Sequence, residues 1–347
     1  MKKIVLVIVA VLLLALAFVS WKFLGPATSF EGKKYFLLIK TGSTYNDVKE
    51  TLAKDHVINS PWFFEMAAQK LDYPQKVKAG RYEINSGMSL VSMLRMLRNG
   101  RQAPVNLVIT KIRTKEDLAG MIGRKFETDS LTFLEFLNNN DSLKHYGLDS
   151  NTSMCAVMPN TYTYFWNSNT QKIFSKLYDA YSGFWTAQRK KLADSQKLTP
   201  HQVITLASVI DEETNKADEK GNIASVHINR MAKGMRLAAD PTVKFALKDF
   251  GLKRVYNKHL AVESPYNTYK IYGLPPGPIC TPQTASIDAV LHAPKTDYLF
   301  FVASSDFNGG HRFAASYEEH LKYAKAYQLA LDTLMKNMQP VKEDIGN

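Results

Sequence analysis

The sequence predicts an α+β protein that begins with one membrane-spanning helix, continues with a small α/β unit and ends in a mixed α+β domain. Three observations predict this order: an apolar run at the N-terminus, three strand-plus-helix segments in the first third, and a series of helices with clear start signals after residue 198. At 347 residues the chain is long enough for two or more compact units with buried cores.

Composition limits the classes of function. The formal net charge is +12, which favours anionic partners such as nucleic acid, acidic lipid headgroups or an anionic cell-wall glycan. Two cysteines, Cys155 and Cys280, exclude a disulfide framework and a four-cysteine zinc site; two buried free thiols are favoured, and a single bridge stays open. No G-x-S-x-G, H-E-x-x-H or G-x-x-x-x-G-K-[ST] motif occurs, which argues against serine hydrolases, zinc proteases and nucleotide hydrolases.

The first element is a transmembrane signal anchor over residues 4–24. This stretch is long enough to span a bilayer, which takes about 20 apolar residues. Lys2 and Lys3 precede it, so residues 1–3 form a cytoplasmic tail and everything after the linker at 25–34 lies outside the cytoplasm. No convincing cleavage site follows, which favours an uncleaved anchor. The expected location is the cytoplasmic (inner) membrane, which argues against a nucleic-acid role for the basic charge.

The second element is an α/β unit built on an internal repeat. Each copy has an apolar strand, a short turn, a Ser or Thr helix cap and apolar residues at helical spacing; the copies are Ile39–Leu52, Ile84–Leu97 and Ile109–Ile122, with caps Thr44, Ser89 and Thr114. Residues 35–99 would form one β-α-α-β-like unit of the kind found in LysM glycan-binding modules. Ordinary βα pairs without a ligand are an equal alternative. Pro61–Leu71, capped by Ser60, is predicted to be a further helix.

Residues 100–197 connect this unit to the last domain. We expect a helix over Ser130–Leu137, a turn over Asn138–Asp141 and one long helix over Gln171–Lys191. Between them lies Met158–Trp166, a dense aromatic segment. Such a segment is more often core than a platform for sugar rings, and both interpretations stay open.

The key helix begins near Pro200, where Thr199 and Gln202 can form a capping box. At 3.6 residues per turn, Glu213 continues the apolar stripe of the helix, whereas Glu212 lies on the polar side and is expected to be solvated; Asp211 is intermediate. A carboxyl group among apolar neighbours has a raised pKa and can act as a general acid near neutral pH. The alternative is that Glu213 ends the helix in solvent.

The rest of the predicted core, residues 198–338, contains further helices and one strand. A charged loop over 215–222 precedes a helix over Ile223–Met235, and Asp240 with Pro241 reads as the cap and start of another helix. We expect a rigid proline-rich loop over 273–282 that walls a groove. A buried strand over 298–303 and a helix over 316–338, with structural histidines His311 and His320, precede a tail at 339–347.

Several segments in this order carry a family resemblance: LASVIDEETNKADEKGNIASVHINR, GMRLAADPTV, PYNTY, GLPPGPICTP, YLFFVA and GGHRFAASYEEH. They resemble the endolytic lytic transglycosylases of the MltG (YceG-like) family, and the resemblance covers essentially the whole chain. The catalytic glutamate of that family, the second acid of a V-E-K-E-T pattern, falls on Glu213. Asp211 and Glu212 stand where the family commonly has Glu and Lys. The W-P-[DN]-T-Y pattern is matched, without its Trp, by residues 159–162.

The resemblance implies cleavage of the β-1,4 bond between N-acetylmuramic acid and N-acetylglucosamine within peptidoglycan strands, leaving 1,6-anhydro ends. It also implies strand termination beside penicillin-binding synthases, with no metal or cofactor. Glu213 would act as acid and then as base. The predicted substrate-binding residues are Asn229, Asp240, Thr242, Tyr266, Asn267, Thr268, Tyr269, Asn160 and Tyr162. Asp211 or Asp240 could instead serve as a second carboxylate. A non-catalytic membrane-anchored glycan-binding scaffold is the main alternative, and a nucleic-acid binder rests on charge alone.

Overall fold

The computed structural model describes residues 1–337, which divide into two compact units. The first unit combines Met1–Leu107, Gly120–Phe133 and Tyr162–Ile173, and the second combines Val108–Ala119, Leu134–Thr161 and the chain from Phe174 onward. Each unit is therefore assembled from three segments, whereas the sequence suggested contiguous domains, which stay a prediction. The tail predicted at 339–347 lies outside the described residues.

The elements, in chain order, alternate strands and helices first and are mainly helical later. The first are α1 (Lys2–Leu24), β1 (Lys34–Ile39), α2 (Tyr45–Lys54), α3 (Pro61–Lys70), β2 (Gly80–Asn85), α4 (Leu90–Asn99), β3 (Val105–Ile109), α5 (Lys115–Lys125), α6 (Ser130–Asn138), α7 (Asn140–Lys144), β4 (Asn160–Tyr164) and α8 (Thr170–Phe184). They continue with α9 (Ala187–Ser195), α10 (Pro200–Glu213), α11 (Lys220–Ala232), α12 (Asp240–Leu247), α13 (Asn257–Leu260), α14 (Thr284–Leu291), β5 (Phe300–Ala303), β6 (His311–Ala314) and α15 (Tyr317–Asn337).

Helix α1 has the length and composition to cross a membrane. Its best 18-residue window has a mean hydropathy of 3.1, and none of its residues is buried in the protein. No other helix of residues 1–337 passes the same test. The predicted anchor helix is thus present.

The first unit is built on an antiparallel β1–β2 pair that runs from Lys34 opposite Asn85 to Ile39 opposite Gly80. Alternate side chains of both strands point into the core, as period-2 patterning requires. The largest buried side chains of the core come from strands, helices and one loop: Leu37, Leu52, Phe64, Tyr73, Tyr82, Ile84, Leu90, Met93 and Leu97. A βααβ order is present, but a LysM identity remains a prediction.

The three predicted repeat caps are confirmed. The Thr44 hydroxyl accepts a hydrogen bond from the backbone N–H of Asp47, and the Asp47 carboxylate accepts one in return, which completes a capping box. The Ser89 and Thr114 hydroxyls each accept a bond from the N–H three residues on. Ser60 is different, since it occupies the cap position of α3 without making a side-chain cap bond.

Two local predictions in the connecting region are wrong in detail, and a third is confirmed. The expected turn at 138–141 contains the start of helix α7, because the Asn139 side chain caps it. The long helix expected over 171–191 is two helices, α8 and α9, because the chain breaks after Phe184 and Thr186 caps the start of α9. The aromatic segment forms strand β4, whose Tyr162 and Tyr164 are buried, as is Trp166 just beyond it. The core interpretation of these three rings is therefore confirmed.

The second unit surrounds helix α10, which packs against α9, α11, α12 and α14. Strands β5 and β6 form an antiparallel hairpin that contacts α15. Helix α11 begins at Lys220, three residues before its predicted start, and β5 is half-buried where a buried strand was expected. The predicted end of α15 at residue 338 lies outside the described chain.

The proline-rich loop over 273–282 packs against α10, so its last residues belong to the core, and a groove lined by this loop stays a prediction. Ile279, Cys280 and Thr281 are almost fully buried. The Ile279 backbone N–H donates to Ser208 Oγ at 2.9 Å, and the Thr281 N–H donates to the Ile112 carbonyl at 2.8 Å. Cys155 and Cys280 are both free and buried, as predicted.

Candidate active site

Helix α10 is buried along nearly its whole length and ends at the predicted catalytic residue. The Thr199–Gln202 capping box and Pro200 start it, as predicted. Residues 203–211 are all buried, including the polar Thr205 and Ser208. The Ser208 hydroxyl donates to the Thr205 carbonyl and accepts from the proline-rich loop, so the polar side of the helix is satisfied by protein groups. The helix therefore has no solvated face in its middle turns.

The acids before Glu213 are locked in ion pairs, which contradicts the expectation that Glu212 is solvated and Asp211 intermediate. The Asp211 side chain is 1% exposed and lies 2.9 Å from Lys220 Nζ and 3.2 Å from Lys111 Nζ. Glu212 lies 3.0 Å from both Lys111 Nζ and Arg113 Nη2. Periodicity within one helix could not show this, because the cations come from distant parts of the chain.

Asp211 also accepts a hydrogen bond from the Ser286 hydroxyl. Burial pushes the pKa of Asp211 up, but the bonds from Ser286 and Lys220 outweigh it, and its pKa lies below the usual value. Asp211 is thus held as a buried carboxylate facing cations. It is not oriented as a free second acid, so the structure favours a structural role for it over the second-carboxylate alternative.

Glu213 is the opposite case. It is partly exposed at the last helical position, and no donor from the described residues lies within hydrogen-bonding distance of its carboxylate. Burial of the carboxyl group and the negative charge of Asp240 raise its pKa to about 8, against the opposing effect of Lys244 and Arg230. At neutral pH the group is mainly protonated and has a proton to donate, which is the state that a general acid needs.

Asp240 and Tyr269 form a pair close to Glu213. Ala239, not Asp240, is the N-cap of α12, so the carboxylate of Asp240 is not used as a helix cap. It accepts a 2.7 Å hydrogen bond from the Tyr269 hydroxyl. Burial, this bond and the Asp240 charge raise the pKa of Tyr269, which therefore stays a neutral donor. The sequence analysis gave Asp240 as a helix cap and also as a candidate site residue, and the structure contradicts only the cap.

Arg230 was missed by sequence reasoning. Its Nε donates to the Leu299 carbonyl and its Nη1 to the Leu237 carbonyl, both at 2.6 Å, so the guanidinium is fixed by backbone groups. Burial lowers the pKa of Arg230, and the opposing effect of the nearby Tyr269 and Glu213 does not cancel this shift. A helical-wheel projection of α11 alone would not have found it, since its partners are loop carbonyls.

Three of the predicted substrate-binding residues are fully buried and hold the loop after α13. The Thr268 hydroxyl accepts from the Ala239 N–H and bonds to the Thr242 hydroxyl at 2.8 Å. The Asn267 amide donates to the carbonyls of Leu260 and Val262. These contacts position Tyr269 for Asp240. A direct contact of Thr242, Asn267 or Thr268 with a sugar remains a prediction.

The other predicted binding residues have different surroundings. The Asn229 amide donates to the carbonyls of Thr296 and Tyr298, which ties α11 to the strand β5 region. The Tyr266 ring lies 4.6 Å from that of Phe245, and burial raises its pKa to about 12. Asn160 is exposed and its side chain accepts from its neighbour's N–H, and Tyr162 is buried. Their sugar contacts stay predictions.

Two histidines in the second unit have structural surroundings. His311 donates its backbone N–H to Glu219 Oε1 and bonds through Nδ1 to Glu219 Oε2, both at 2.8 Å. His227 is buried, and burial lowers its pKa to about 3, so it is neutral in the folded protein. No group of three or more His, Cys, Asp or Glu side chains suited to a metal occurs in residues 1–337.

Comparison with known proteins shows the family to which this chain belongs. A family model described as the YceG-like family matches residues 37–326. The chain belongs to the YceG-like family. An endolytic murein transglycosylase of Bacillus subtilis is 31% identical over 312 residues, which is 83% of each chain. One from Streptococcus pneumoniae is 26% identical over 83% of this chain and 57% of its own length.

The structure of this YceG-like chain also resembles a solved one. The 2.6 Å crystal structure of a putative YceG-like protein from Listeria monocytogenes has a TM-score of 0.55 and 29% sequence identity. The match covers 84% of this chain and 98% of the Listeria chain. The family resemblance of the sequence motifs is thus confirmed by sequence and by fold.

Proposed function

We propose that this YceG-like chain is a membrane-anchored endolytic lytic transglycosylase that uses Glu213 as its acid and base. The observation that carries the proposal is the contrast at the end of α10, where two acids are locked by cations and the third is left unpaired with a raised pKa. The relatives named endolytic murein transglycosylase support peptidoglycan as the substrate.

The reaction needs one group that gives a proton and then takes one back. Protonated Glu213 donates to the glycosidic oxygen as the bond from C1 of N-acetylmuramic acid to that oxygen breaks. The carboxylate then accepts the proton of the C6 hydroxyl of the same sugar, while the C6 oxygen bonds to C1. The product ends in a 1,6-anhydro ring, Glu213 is protonated again, and no water is consumed.

Asp240 has a supporting role in this scheme. Together with burial, its negative charge raises the pKa of Glu213, and with its Tyr269 hydrogen bond it would stabilise the positive charge that develops at C1. A hydrolase would instead use Asp240 to activate a water molecule. The two schemes differ by one water in the product.

The remaining parts of the proposal concern place and timing. Helix α1 anchors the chain in the inner membrane, and the two units then lie on the outer side, where peptidoglycan is built. An endo-acting enzyme held there can cut strands while they grow, which would terminate their elongation beside penicillin-binding synthases. The unit formed around β1 and β2 would bind glycan if its LysM likeness holds.

The test uses the full chain in detergent micelles with purified uncrosslinked glycan strands, and the products are read by mass spectrometry. We expect internal fragments one water lighter than hydrolysis products, and their loss in Glu213→Gln. Glu135→Gln, the same change on an exposed residue of α6, is the matched control and should cut normally. Products with the extra water would indicate a hydrolase, and glycan binding without products would indicate a non-catalytic scaffold.

A further inference from the structure

An aromatic cluster joins the end of helix α1 to the start of helix α3 within the first unit. The Phe63 ring contacts two rings of α1, with centroids 5.7 Å from Phe23 and 6.5 Å from Phe18. The Trp62 ring stands edge-on to Phe63 at 4.8 Å. The N-terminus of α3 is therefore packed beside the last turns of the apolar helix.

The outer members of this cluster are exposed. Trp62 is 68% exposed and Trp21 is 57% exposed, both large rings with an N–H group at one edge. The ammonium group of Lys22 lies 5.4 Å from the Trp21 ring and 5.9 Å from the Phe63 ring. A surface of exposed indoles next to a lysine is the composition of a membrane–water interface, where amphipathic rings lie among lipid headgroups.

The length of α1 places the aromatic cluster at the depth of the membrane–water interface. From residue 4 to residue 24 the helix rises about 30 Å at 1.5 Å per residue, which matches the hydrocarbon core of a bilayer. Trp21 lies near the outer end of that span. Because Phe63 contacts Phe23, the adjoining Trp62 lies at the same end.

We propose that Trp62 inserts into the headgroup region of the outer leaflet, so that the start of α3 is a second attachment of the first unit to the membrane. This inference rests on the proposed anchoring of α1. The linker itself is bonded to the unit, since the Ala27 carbonyl accepts from the Asn59 N–H and the Ser29 N–H donates to the Val57 carbonyl. A contact through Trp62 adds a second point of attachment to the bilayer and sets which side of the unit faces it.

The test uses the full chain in liposomes that contain phospholipids brominated close to the headgroup, which quench nearby tryptophans. The chain has four tryptophans, and Trp166 and Trp185 are buried at 9% and 4% exposure. The lipid-quenched signal should therefore come from Trp21 and Trp62. We compare the wild type with Trp62→Phe, Trp21→Phe and the double variant, and check the fold of each by circular dichroism.

We expect each single variant to lose part of the lipid-quenched fluorescence and the double variant to lose it all. If Trp62→Phe quenches like the wild type while Trp21→Phe loses signal, the anchor stands and the second attachment is wrong. If neither variant loses signal, both the anchor and the attachment are wrong. The purified liposomes contain no other protein. If Trp62 normally binds a partner protein instead of lipid, Trp62→Phe should therefore be quenched like the wild type.

Discussion

Replacing Glu213 by glutamine should stabilise the protein at high pH, although it should abolish activity. The Glu213 pKa is about 8 in the folded protein and near 4.5 in the unfolded chain. A raised pKa means that the folded state binds the proton of Glu213 more tightly than the unfolded state does. The stability that this proton contributes is fully present below pH 4.5 and is lost as the pH rises to about 8. Glutamine has no proton to lose and avoids this cost.

The size of the effect follows from the shift. At about 1.4 kcal/mol per pK unit, the difference between the two pKa values sets an upper limit of about 5 kcal/mol. Partial exposure of the side chain reduces this, and we expect about 2 kcal/mol above pH 8, or a melting temperature roughly 4–8 °C higher than that of the wild type.

The measurement is a set of melting curves of wild type and Glu213→Gln in the same detergent between pH 4.5 and 8.5. The difference in melting temperature should be small at the acid end and grow with pH. Glu135→Gln, at an exposed position of α6, should show no such growth. A difference that stays flat, or shrinks as the pH rises, would refute the argument that Glu213 is held in its protonated form.

Three further predictions concern residues that contact or surround the acids at the end of helix α10. Asp240→Asn removes a negative charge that raises the pKa of Glu213, so the loss of activity at high pH should move to lower pH; an unchanged pH–rate profile would argue against their coupling. Tyr269→Phe removes the 2.7 Å donor to Asp240; it should lower kcat on soluble glycan strands and also lower the melting temperature, because a hydrogen bond to a charged group contributes about 1.5–3 kcal/mol, and an unchanged kcat would argue against a catalytic role for this bond. Lys220→Met leaves the buried Asp211 short of a cation and should cost about 3 kcal/mol, seen as a large drop in melting temperature at neutral pH; a drop under one degree would show that Lys111 suffices.

Local signals in the sequence predicted the elements that carry the site. The capping box at Thr199 depends only on neighbours within one helix, and the structure confirms it. The same holds for Thr44, Ser89 and Thr114, whose caps act over three residues. Such short-range chemistry can be derived from a single sequence.

The errors arose where a residue's partner is distant in sequence. Glu212 looked solvated because its helix face is polar, yet Arg113 and Lys111 lie about 100 residues away and cover it. Asp240 looked like a cap because proline follows it, yet Tyr269 binds it from another loop. No periodicity in one helix reports on such contacts, and they decide which acid is free.

The burial of helix α10 determines how the proposed enzyme would lose activity. Its middle turns are covered on every side, including its polar residues, so the backbone amides should exchange with solvent only when the second unit opens as a whole. Glu213 sits at the end of this protected segment. On heating, activity and tertiary structure should therefore disappear together, without a temperature range in which the fold persists and the catalytic group has already come loose.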